Sequence, residues 1–457
     1  MHDLSGLSHT TRTSASGAEI IVLDTGAVIT AEDEAMLQAL HSRSVKGVKG
    51  HLEALAKRGS GNFMSQYYVG YGDKSIGDCG TTTIFIEGVS MLCAKAIQDW
   101  ALYSGQEAST RYIDFATQPF LNPYEIDAGS KILESWREFY VRNLPIIIAD
   151  LKVRFPRSDG ENETVYEKAI KARAFDVARG FLPAGAKTNL SWHTNLRQAA
   201  DHLLTLRNHP LSEVRDVADA IEEALMEKYP NSFTKKRYEG TESFYREWMA
   251  SNYYFRRDHG DSTYDFTGST FNFDYSGLHR YREILSTRPR KTEVPQELGN
   301  LGQICFEFFL DFASFRDIQR HRAVYQRMPL LTLLHGFESW YLEELPESIR
   351  AEATTLIAQQ ASEISNLDKQ TTADVHRDQY YMPMGSRVHC VVSGDLPAIV
   401  WLIELRATHF VHPTLRRRAQ QMAKFLQTEF GEGLTLHLDP DPDRFDVKRG
   451  TQDIVMR

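Results

Sequence analysis

The stretch TTTIFIEGVSMLCAKAIQDWALYSG, residues 81–105, begins with β-branched residues and continues with Ala, Leu and Lys. This order predicts a strand that runs directly into a helix. The apolar segment ICFEFFLDFASFRDIQRHRAVYQ, residues 304–326, takes the matching place in the second half of the chain. The shared order indicates that the chain contains a duplicated unit.

Helical patterns follow the first of these segments. Apolar residues recur at intervals of three and four in four further segments, which predicts helices there. These segments are residues 130–151, 164–182, 194–206 and 212–229. Residues 1–17 are rich in Ser, Thr and Gly and predict a frayed tail, whereas a strand is predicted to begin near Glu19.

A proline motif supplies the clearest match between the two halves. GFLPAG and YYMPMG are each followed by an apolar helical pattern that contains Leu-Arg. Pro183 precedes Arg207 by 24 residues, and Pro383 precedes Arg406 by 23. A gene duplication followed by divergence explains this spacing.

Residues 230–294 are polar and aromatic and contain few aliphatic side chains, which places a boundary there. The predicted domains are residues 1–230 and 231–457. Each is expected to have an α/β (α+β) fold, with a twisted, mostly antiparallel sheet and long helices. A pseudo-two-fold axis should relate the two halves.

Length and composition restrict the class of protein. The chain has 457 residues, about three times the usual ~150-residue domain. Hydrophobic residues make up 42% and charged residues 25%, which predicts a soluble globular protein rather than a collagenous or disordered chain. The net charge of -9 argues against non-specific binding of nucleic acid or anionic lipid.

The cysteines and the N-terminus predict a cytoplasmic location. The four cysteines form no CxxC and no metal-ligand spacing with His, which argues against a zinc site or a disulfide framework. The N-terminus lacks a signal sequence, and no uncharged apolar stretch approaches the ~18 residues of a membrane span. HExxH, GxxxxGK[ST] and a GxGxxG after a strand are also absent from the sequence.

The first polar cluster is SGQEASTRY, residues 104–112. Its hydroxyl groups and the Arg111 guanidinium can bind a phosphate, because a guanidinium bonds phosphate oxygens in bidentate fashion while the Glu107 carboxylate orients it. Taken alone, the same residues also fit a capping and ion-pair cluster at the end of a helix.

The second cluster is Arg320-His321-Arg322, with Arg316 and Arg327 nearby. Adjacent guanidinium groups repel each other unless an anion or several carboxylates lie among them, so this cluster suits a buried diphosphate. A solvated basic face fits the same residues equally well.

The third cluster begins at Arg179 and continues to Asn195 and Arg197. These polar residues need no function if they lie at the edge of the core. His202 and His209 are interpreted as packing or surface histidines rather than catalytic groups.

Taken together, the motifs resemble the flavin-dependent thymidylate synthases. That family carries Arg-His-Arg, two variable residues and Ser-x-Asn-Glu-x-Ser-x-Arg-Tyr, and downstream Arg-x-x-Leu-Pro, Trp-x-x-Asn-x-Arg and Leu-Arg. The chain looks like two copies of this family in tandem, which cover most of its length. The resemblance therefore implies two domains of that fold.

The two copies divide the signature between them. The first copy retains the motif of residues 104–112, with Gln106 in place of the usual Asn, but has Asp99-Trp100-Ala101 where Arg-His-Arg belongs. The second copy retains Arg320-His321-Arg322 and has Tyr325, Arg327 and Met328 where Ser, Asn and Glu belong. Because family members are homotetramers with shared sites, the resemblance implies composite sites and a homodimer that imitates the tetramer.

The resemblance also implies the residues of the site. FAD would contact Arg320, His321, Arg322, Asn195, Arg197 and Ser75. The pyrimidine nucleotide would contact Gln106, Glu107, Ser109, Arg111 and Arg179. The catalytic group beside the pyrimidine ring would be Arg207 or Arg406.

The implied reaction is reductive C5 methylation of dUMP or a related pyrimidine nucleotide. Methylenetetrahydrofolate would give the carbon, reduced FAD the hydride, and NADPH would reduce the flavin, so no cysteine nucleophile is required. Three aspartates depart from the pattern: Asp73 replaces a His, Asp78 a Glu, and Asp317 a phosphate-binding Gln.

Two other hypotheses remain at this point. A degenerate paralogue would bind nucleotide or flavin without methyl transfer. An RNA-binding protein would use the arginine runs, but the negative net charge and the lack of a stacking motif in the sequence make this the poorest hypothesis.

Overall fold

The structure is a computed structural model that describes residues 9–23, 29–42, 47–253, 264–367, 370–372 and 374–439. The chain divides into two compact units. One comprises Met1–Ser109 and Lys187–Tyr253, and the other comprises Thr110–Ala186 and Tyr254–Arg457. Each unit therefore takes residues from both predicted halves. The repeat boundary at residue 230 stays a prediction, because spatial contacts do not test a duplication in the sequence.

The described residues form nine strands. They are β1 His9–Thr13, β2 Glu19–Leu23, β3 Thr81–Ser90, β4 Ser104–Glu107, β5 Lys187–Asn195, β6 Phe266–Phe271, β7 Gln303–Asp311, β8 Tyr325–Arg327 and β9 Arg387–Asp395.

Twelve α-helices of seven or more residues lie in the described ranges. They are α1 Ala31–His41, α2 Gly47–Arg58, α3 Met91–Gln98, α4 Asp127–Arg154, α5 Glu163–Ala178, α6 Leu196–Leu206, α7 Ser212–Lys228, α8 Glu239–Trp248, α9 Phe312–Ile318, α10 Glu347–Leu367, α11 Leu396–Arg406 and α12 Pro413–Phe430. Short α-helices are Gly61–Phe63, Tyr275–Arg280, Arg282–Ser286, Ser339–Glu343 and Val375–Asp378. Short 3-10 and π-helical segments include Lys74–Cys79, Thr110–Tyr112, Arg179–Phe181, Gln379–Tyr381 and Met64–Gly70.

Both sheets are antiparallel, and the four strands of the second follow the same order as β2-β3-β5-β4 of the first. The first unit contains the order β1-β2-β3-β5-β4, and the second contains β6-β7-β9-β8. The predicted mixed α/β fold with antiparallel sheets and long helices is confirmed. In both halves a strand leads directly into a helix, β3 into α3 and β7 into α9, as the sequence indicated.

The prediction of a frayed tail is wrong for its described part. Residues 9–13 form β1, which pairs with β2 from His9 opposite Leu23 to Thr13 opposite Glu19. The turn between these strands is closed by the bond from Ser14 N to Ala18 O (2.9 Å) and passes through Gly17 at φ 81°. A glycine suits this turn because a positive φ costs it little.

Alternating burial along the strands locates the core of each unit. Ile84 and Ile86 of β3 are fully buried, as are Ile304, Phe306 and Phe308 of β7. Successive strand residues point to opposite faces, so these side chains form one apolar face of each sheet. That burial fixes the register of the strands, since a slip of one residue would expose the whole set.

The repeated proline motifs meet inside the second unit. The prolines of GFLPAG and YYMPMG form an antiparallel bridge. Gly185 N donates to Tyr380 O (2.8 Å), and Gly385 N donates to Gly180 O (2.8 Å). This reciprocity is local, and the pseudo-two-fold axis between the complete halves stays a prediction. Within the described ranges, no helix is both long and apolar enough to cross a membrane.

Candidate functional site

Helix α9 and the turn after it position the Arg-His-Arg motif. Asp311 caps the helix, because its carboxylate accepts a hydrogen bond from Ser314 N (2.8 Å). After the helix ends at Ile318, His321 N donates to Ile318 O (2.8 Å). The tight turn buries the imidazole of His321 and leaves Arg320 exposed. The motif therefore presents a buried ring between two arginines.

His321 is a neutral hydrogen-bond acceptor. Arg406 Nε donates to His321 Nε2 across 2.7 Å. Burial and the guanidinium groups of Arg406 and Arg320 lower the pKa of His321 to about 3, although Asp317 acts in the opposite direction. A neutral ring that accepts at Nε2 carries its proton on Nδ1.

Arg406 is the last residue of α11, and its guanidinium is largely desolvated. Burial lowers the pKa of Arg406, the Asp317 carboxylate opposes that effect, and Arg320 adds to it. In the part of the chain that the structure describes, no carboxylate forms an ion pair with Arg406. Its charge is therefore available to stabilise negative charge on a ligand.

A second group of charged residues lies in the same unit. Arg111 Nη2 donates to both carboxylate oxygens of Asp176, at 2.7 and 2.8 Å, and Arg111 Nε donates to one of them at 3.2 Å. The Asp176 side chain is 1% exposed, and the Arg111 side chain is 32% exposed. Arg111 therefore compensates a buried carboxylate and still reaches the surface.

Arg179 links this pair to helix α9. Arg179 Nη1 lies 4.0 Å from Asp176, and its Nη2 donates to Ser314 Oγ across 3.4 Å. Burial by itself lowers the pKa of Arg179, but Tyr341 and the carboxylates of Asp176, Asp317 and Asp311 outweigh burial and raise it above the usual range. Arg179 stays charged although it is buried.

Asp317 is the group common to both clusters. Its carboxylate lies 3.9 Å from Arg320 Nε. It also acts on the charges of Arg179, His321 and Arg406. Ser314 contacts Arg179 and lies three residues before Asp317 on α9. The helix therefore places the side chains of Ser314 and Asp317 on one face.

The predicted flavin contacts of the first half form a separate group in the first unit. Asn195 caps α6, and its side-chain oxygen accepts from Gln198 N (2.8 Å). Arg197 Nε donates to Asp78 (2.7 Å), and Ser75 Oγ donates to Asp73 (2.6 Å). Asp78 and Asp73, which depart from the family pattern, thus accept hydrogen bonds from two of the predicted flavin contacts.

Three of the predicted nucleotide contacts lie on strand β4 or directly after it: Gln106 and Glu107 are on the strand, and Ser109 follows it. Glu107 accepts a hydrogen bond from Gln98 Nε2 (2.8 Å), and Gln106 is exposed. Ser109 is half-buried. These three residues lie in the first unit, and Arg111 and Arg179 lie in the second.

Arg207 differs from Arg406 in its partners. Arg207 Nη2 donates to Glu242 of α8 across 2.6 Å, and Arg207 Nε lies 3.1 Å from both oxygens of the same carboxylate. Glu222 lies 3.7 Å from Arg207 Nη1. The two carboxylates compensate the charge of Arg207.

Side chains of the first half fill the place that corresponds to Arg-His-Arg. Trp100 stacks on His202 with ring centroids 4.7 Å apart and an interplanar angle of 18°. Lys95 forms an ion pair with Asp99. Burial lowers the pKa of His202 to about 4, so this ring is neutral, and it is packed in the core, which is one of the two positions that the sequence left open.

Sequence reasoning did not single out Asp176 and Ser314. Asp176 precedes Arg179 by three residues, and Ser314 precedes Asp317 by three. Such pairs share a helix face, and this spacing is the signal that could have found them.

Comparison with known families bears on the identity of the first half. Residues 22–231 match the family model described as thymidylate synthase complementing protein. The match covers less than half of the chain, and over these residues the chain is similar to that family. The resemblance inferred from the motifs is confirmed, and the thymidylate synthase complementing region contains β3, β4 and β5 together with Arg111 and Arg179.

Individual relatives extend the comparison beyond this region. A UPF0159 protein of Chlamydia pneumoniae is 24% identical over 415 residues, which cover 79% of this chain and 77% of that protein. A UPF0159 protein of Thermoplasma acidophilum is 23% identical over 431 residues, with 79% and 85% covered. A flavin-dependent thymidylate synthase of Thermococcus onnurineus is 28% identical over 195 residues, with 42% and 68% covered. The chain is similar to UPF0159 proteins over most of its length.

Proposed function

We propose that the chain is a flavin-dependent thymidylate synthase-like enzyme that reductively methylates C5 of dUMP or a related pyrimidine nucleotide with FAD. NADPH is the proposed reductant, and methylenetetrahydrofolate is the proposed carbon donor. The observation that carries the proposal is the desolvated guanidinium of Arg406, held by neutral His321 in the same unit as Arg111 and Arg179. The family of residues 22–231 supports the same chemistry.

The charged residues fit a phosphate-bearing cofactor and substrate. The buried Nε of Arg179 has no hydrogen-bond partner among the described residues, so a donor remains for an anion. Arg320 and Arg322 are exposed beside buried His321 and are the proposed ligands of the FAD diphosphate. Asn195, Arg197 and Ser75 are further proposed flavin contacts. When bound, FAD supplies the hydride.

Arg406 is the proposed catalytic group beside the pyrimidine ring. A pyrimidine ring that carries negative charge at O2 and N3 has a more nucleophilic C5, and a fixed guanidinium near O2 and N3 stabilises this form of the ring for attack on the carbon donor. The bond to His321 holds the guanidinium in place before the reaction. Because His321 is neutral, its hydrogen bond does not compensate the positive charge of Arg406, as the negative charge of a carboxylate would. The carboxylates beside Arg207 make it the weaker candidate.

The nucleotide phosphate is the proposed ligand of Arg179 and Arg111. Arg179 is charged and buried, and Asp176 fixes the orientation of Arg111. Gln106, Glu107 and Ser109 remain proposed contacts of the same nucleotide. The working form is proposed to be a cytoplasmic homodimer, and a stable monomer at micromolar concentration in sedimentation velocity would argue against it.

One observation favours ligand binding without methyl transfer as a second candidate. Asp317 places a negative charge among the arginines that would bind the phosphate. If this charge prevents productive binding of dUMP, the protein would retain flavin and show no turnover.

A single preparation tests both candidates. The purified protein is desalted, and its FAD content is measured by absorbance after denaturation. Methyl transfer is then followed with dUMP, methylenetetrahydrofolate and NADPH. Bound FAD with formation of dTMP supports the enzyme, bound FAD without turnover supports the second candidate, and protein that cannot be reconstituted with FAD contradicts both.

A further inference from the structure

The balance of charge around helix α9 bears on the ligand that this site accepts. Arg179, Arg320 and Arg406 are the guanidinium groups on which the Asp317 carboxylate acts. His321 is neutral, and the pairing of Arg111 with Asp176 cancels both of those charges. Asp317 therefore offsets part of this positive charge, including that of Arg179, the residue proposed to bind the nucleotide phosphate.

The other titratable groups near Arg179 do not take over the role of the Asp317 charge. Tyr341 donates its hydroxyl to Asp311 (3.0 Å), and burial raises the pKa of the tyrosine. Burial lowers the pKa of His412, which is therefore neutral. Asp311 caps the first turn of α9, whereas Asp317 lies in the last turn, next to the Arg-His-Arg motif. Asp317 is the carboxylate closest in sequence to that motif.

We infer that Asp317 tunes the charge preference of this site, reducing its preference for a doubly charged phosphate monoester over a singly charged phosphate ester. The inference rests on the proposed function, because it assumes that a nucleotide phosphate meets Arg179 and its neighbours. The physical reason is like-charge repulsion between a carboxylate and a phosphate that share the same arginines.

Coulomb repulsion gives this inference a quantitative form. The energy is proportional to the product of the two charges, so repulsion by Asp317 is twice as large for a dianion as for a monoanion. If removal of the Asp317 charge tightens binding of a dianion about tenfold, it should tighten binding of a monoanion about threefold, the square root of that factor. A neutral nucleoside should not respond.

The experiment compares three ligands on the purified, flavin-loaded full chain and on its Asp317→Asn variant. The ligands are dUMP, its 5′-methyl phosphate ester and deoxyuridine, titrated by calorimetry at pH 7.5. We expect Asp317→Asn to lower the Kd by about tenfold, about threefold and less than twofold, in that order. Thermal stability and FAD content show whether the variant retains the fold.

Asp274→Asn is the matched control. It changes the net charge by the same amount, and its Oδ1 accepts a hydrogen bond from Gly277 N (2.8 Å), which an asparagine can also accept. This carboxylate does not appear among the charges that shift the pKa of Arg179, His321 or Arg406. The control should leave all three Kd values within twofold of the wild type.

Each alternative outcome contradicts a specific statement. Equal tightening of all three ligands, or weaker binding of dUMP by Asp317→Asn, would overturn the inference, because Asp317 would then hold the arginines in place. The graded response without any methyl transfer would support the inference and overturn the proposed reaction. Failure of every ligand to bind either protein would overturn both.

Discussion

Helices α6 and α11 correspond to each other and end in different surroundings. Each follows a nine-residue strand directly and has eleven residues, at a constant offset of 200 from Leu196 to Leu396. At this offset Arg406 corresponds to Leu206, and Arg207 lies one position beyond. The Leu-Arg pairs that look alike in the sequence are therefore out of register by one residue.

One residue of offset changes the direction of a side chain by about 100° around a helix. Arg406 contacts His321, whereas Leu206 is buried and Arg207 contacts Glu242. The comparison teaches that similar motifs in the two halves have different chemistry, since the neighbours of the guanidinium decide its charge environment. Of these two arginines, Arg207 pairs with carboxylates, whereas no carboxylate among the described residues forms an ion pair with Arg406.

The largest expected effect distinguishes the two arginines. Arg406→Lys should lower kcat about 10²- to 10³-fold, the usual cost of losing one group that stabilises developing charge. Arg207→Lys should retain the activity per bound flavin, because its partner is Glu242. Steady-state formation of dTMP measures both, and a comparable loss in the two variants would contradict the comparison.

Arg111→Ala should weaken binding of dUMP by about ten- to a hundredfold, because a charge-assisted contact is lost while Arg179 remains. The FAD content should barely change. Removal of Arg111 also leaves buried Asp176 without this partner, so melting is followed alongside the titration. Equal loss of FAD and nucleotide would show that Arg111 supports the fold instead.

His321→Ala should lower FAD occupancy several-fold, and it should also lower the Tm, because the buried ring that accepts the hydrogen bond of Arg406 is lost. Restoring Arg-His-Arg at residues 99–101 in this variant should not recover FAD. In the first half, Trp100 stacks on His202, and Asp99 is paired with Lys95. Recovery of FAD per chain after desalting would show that the first half can bind flavin alone.

The smallest expected effect concerns the pH dependence at Glu242. Burial alone would raise the pKa of Glu242, but the hydrogen bonds from Arg207 and Asn208 outweigh burial and lower that pKa below its usual value of 4.5. Its contribution to stability is therefore present above about pH 4.5 and is lost as the pH falls through the lower, folded-state pKa.

Glu242→Gln tests this pH dependence. The Tm difference from the wild type should be a few degrees at pH 7 and should shrink as the pH falls from 4.5 to 3.5. A scan of Tm against pH measures it, with Glu239→Gln on the same helix as the control. A difference that stayed constant down to pH 3.5 would contradict the role given to this carboxylate.

Local patterns in the sequence were sufficient for several elements of the fold. The strand-to-helix segments at residues 81–105 and 304–326 and the helices of residues 130–229 were predicted because apolar periodicity and β-branched residues act over short distances. The motifs also indicated the family whose model residues 22–231 match, since they occur in order at separations that chance rarely gives. The prediction of a frayed tail failed at β1, because pairing with β2 orders the polar residues of this strand and no local pattern marks them.

Tertiary structure decided which charges are compensated. The sequence left Arg207 and Arg406 equivalent, because spacing does not show which carboxylates lie beside a side chain. Glu242 lies 35 residues from Arg207, and His321 lies 85 residues from Arg406. Burial and these long-range neighbours determine the pKa of a group and its availability for a ligand. The sequence by itself therefore determined several of the elements and the resemblance to a family, and only the packing of those elements decided which arginine lacks a carboxylate partner.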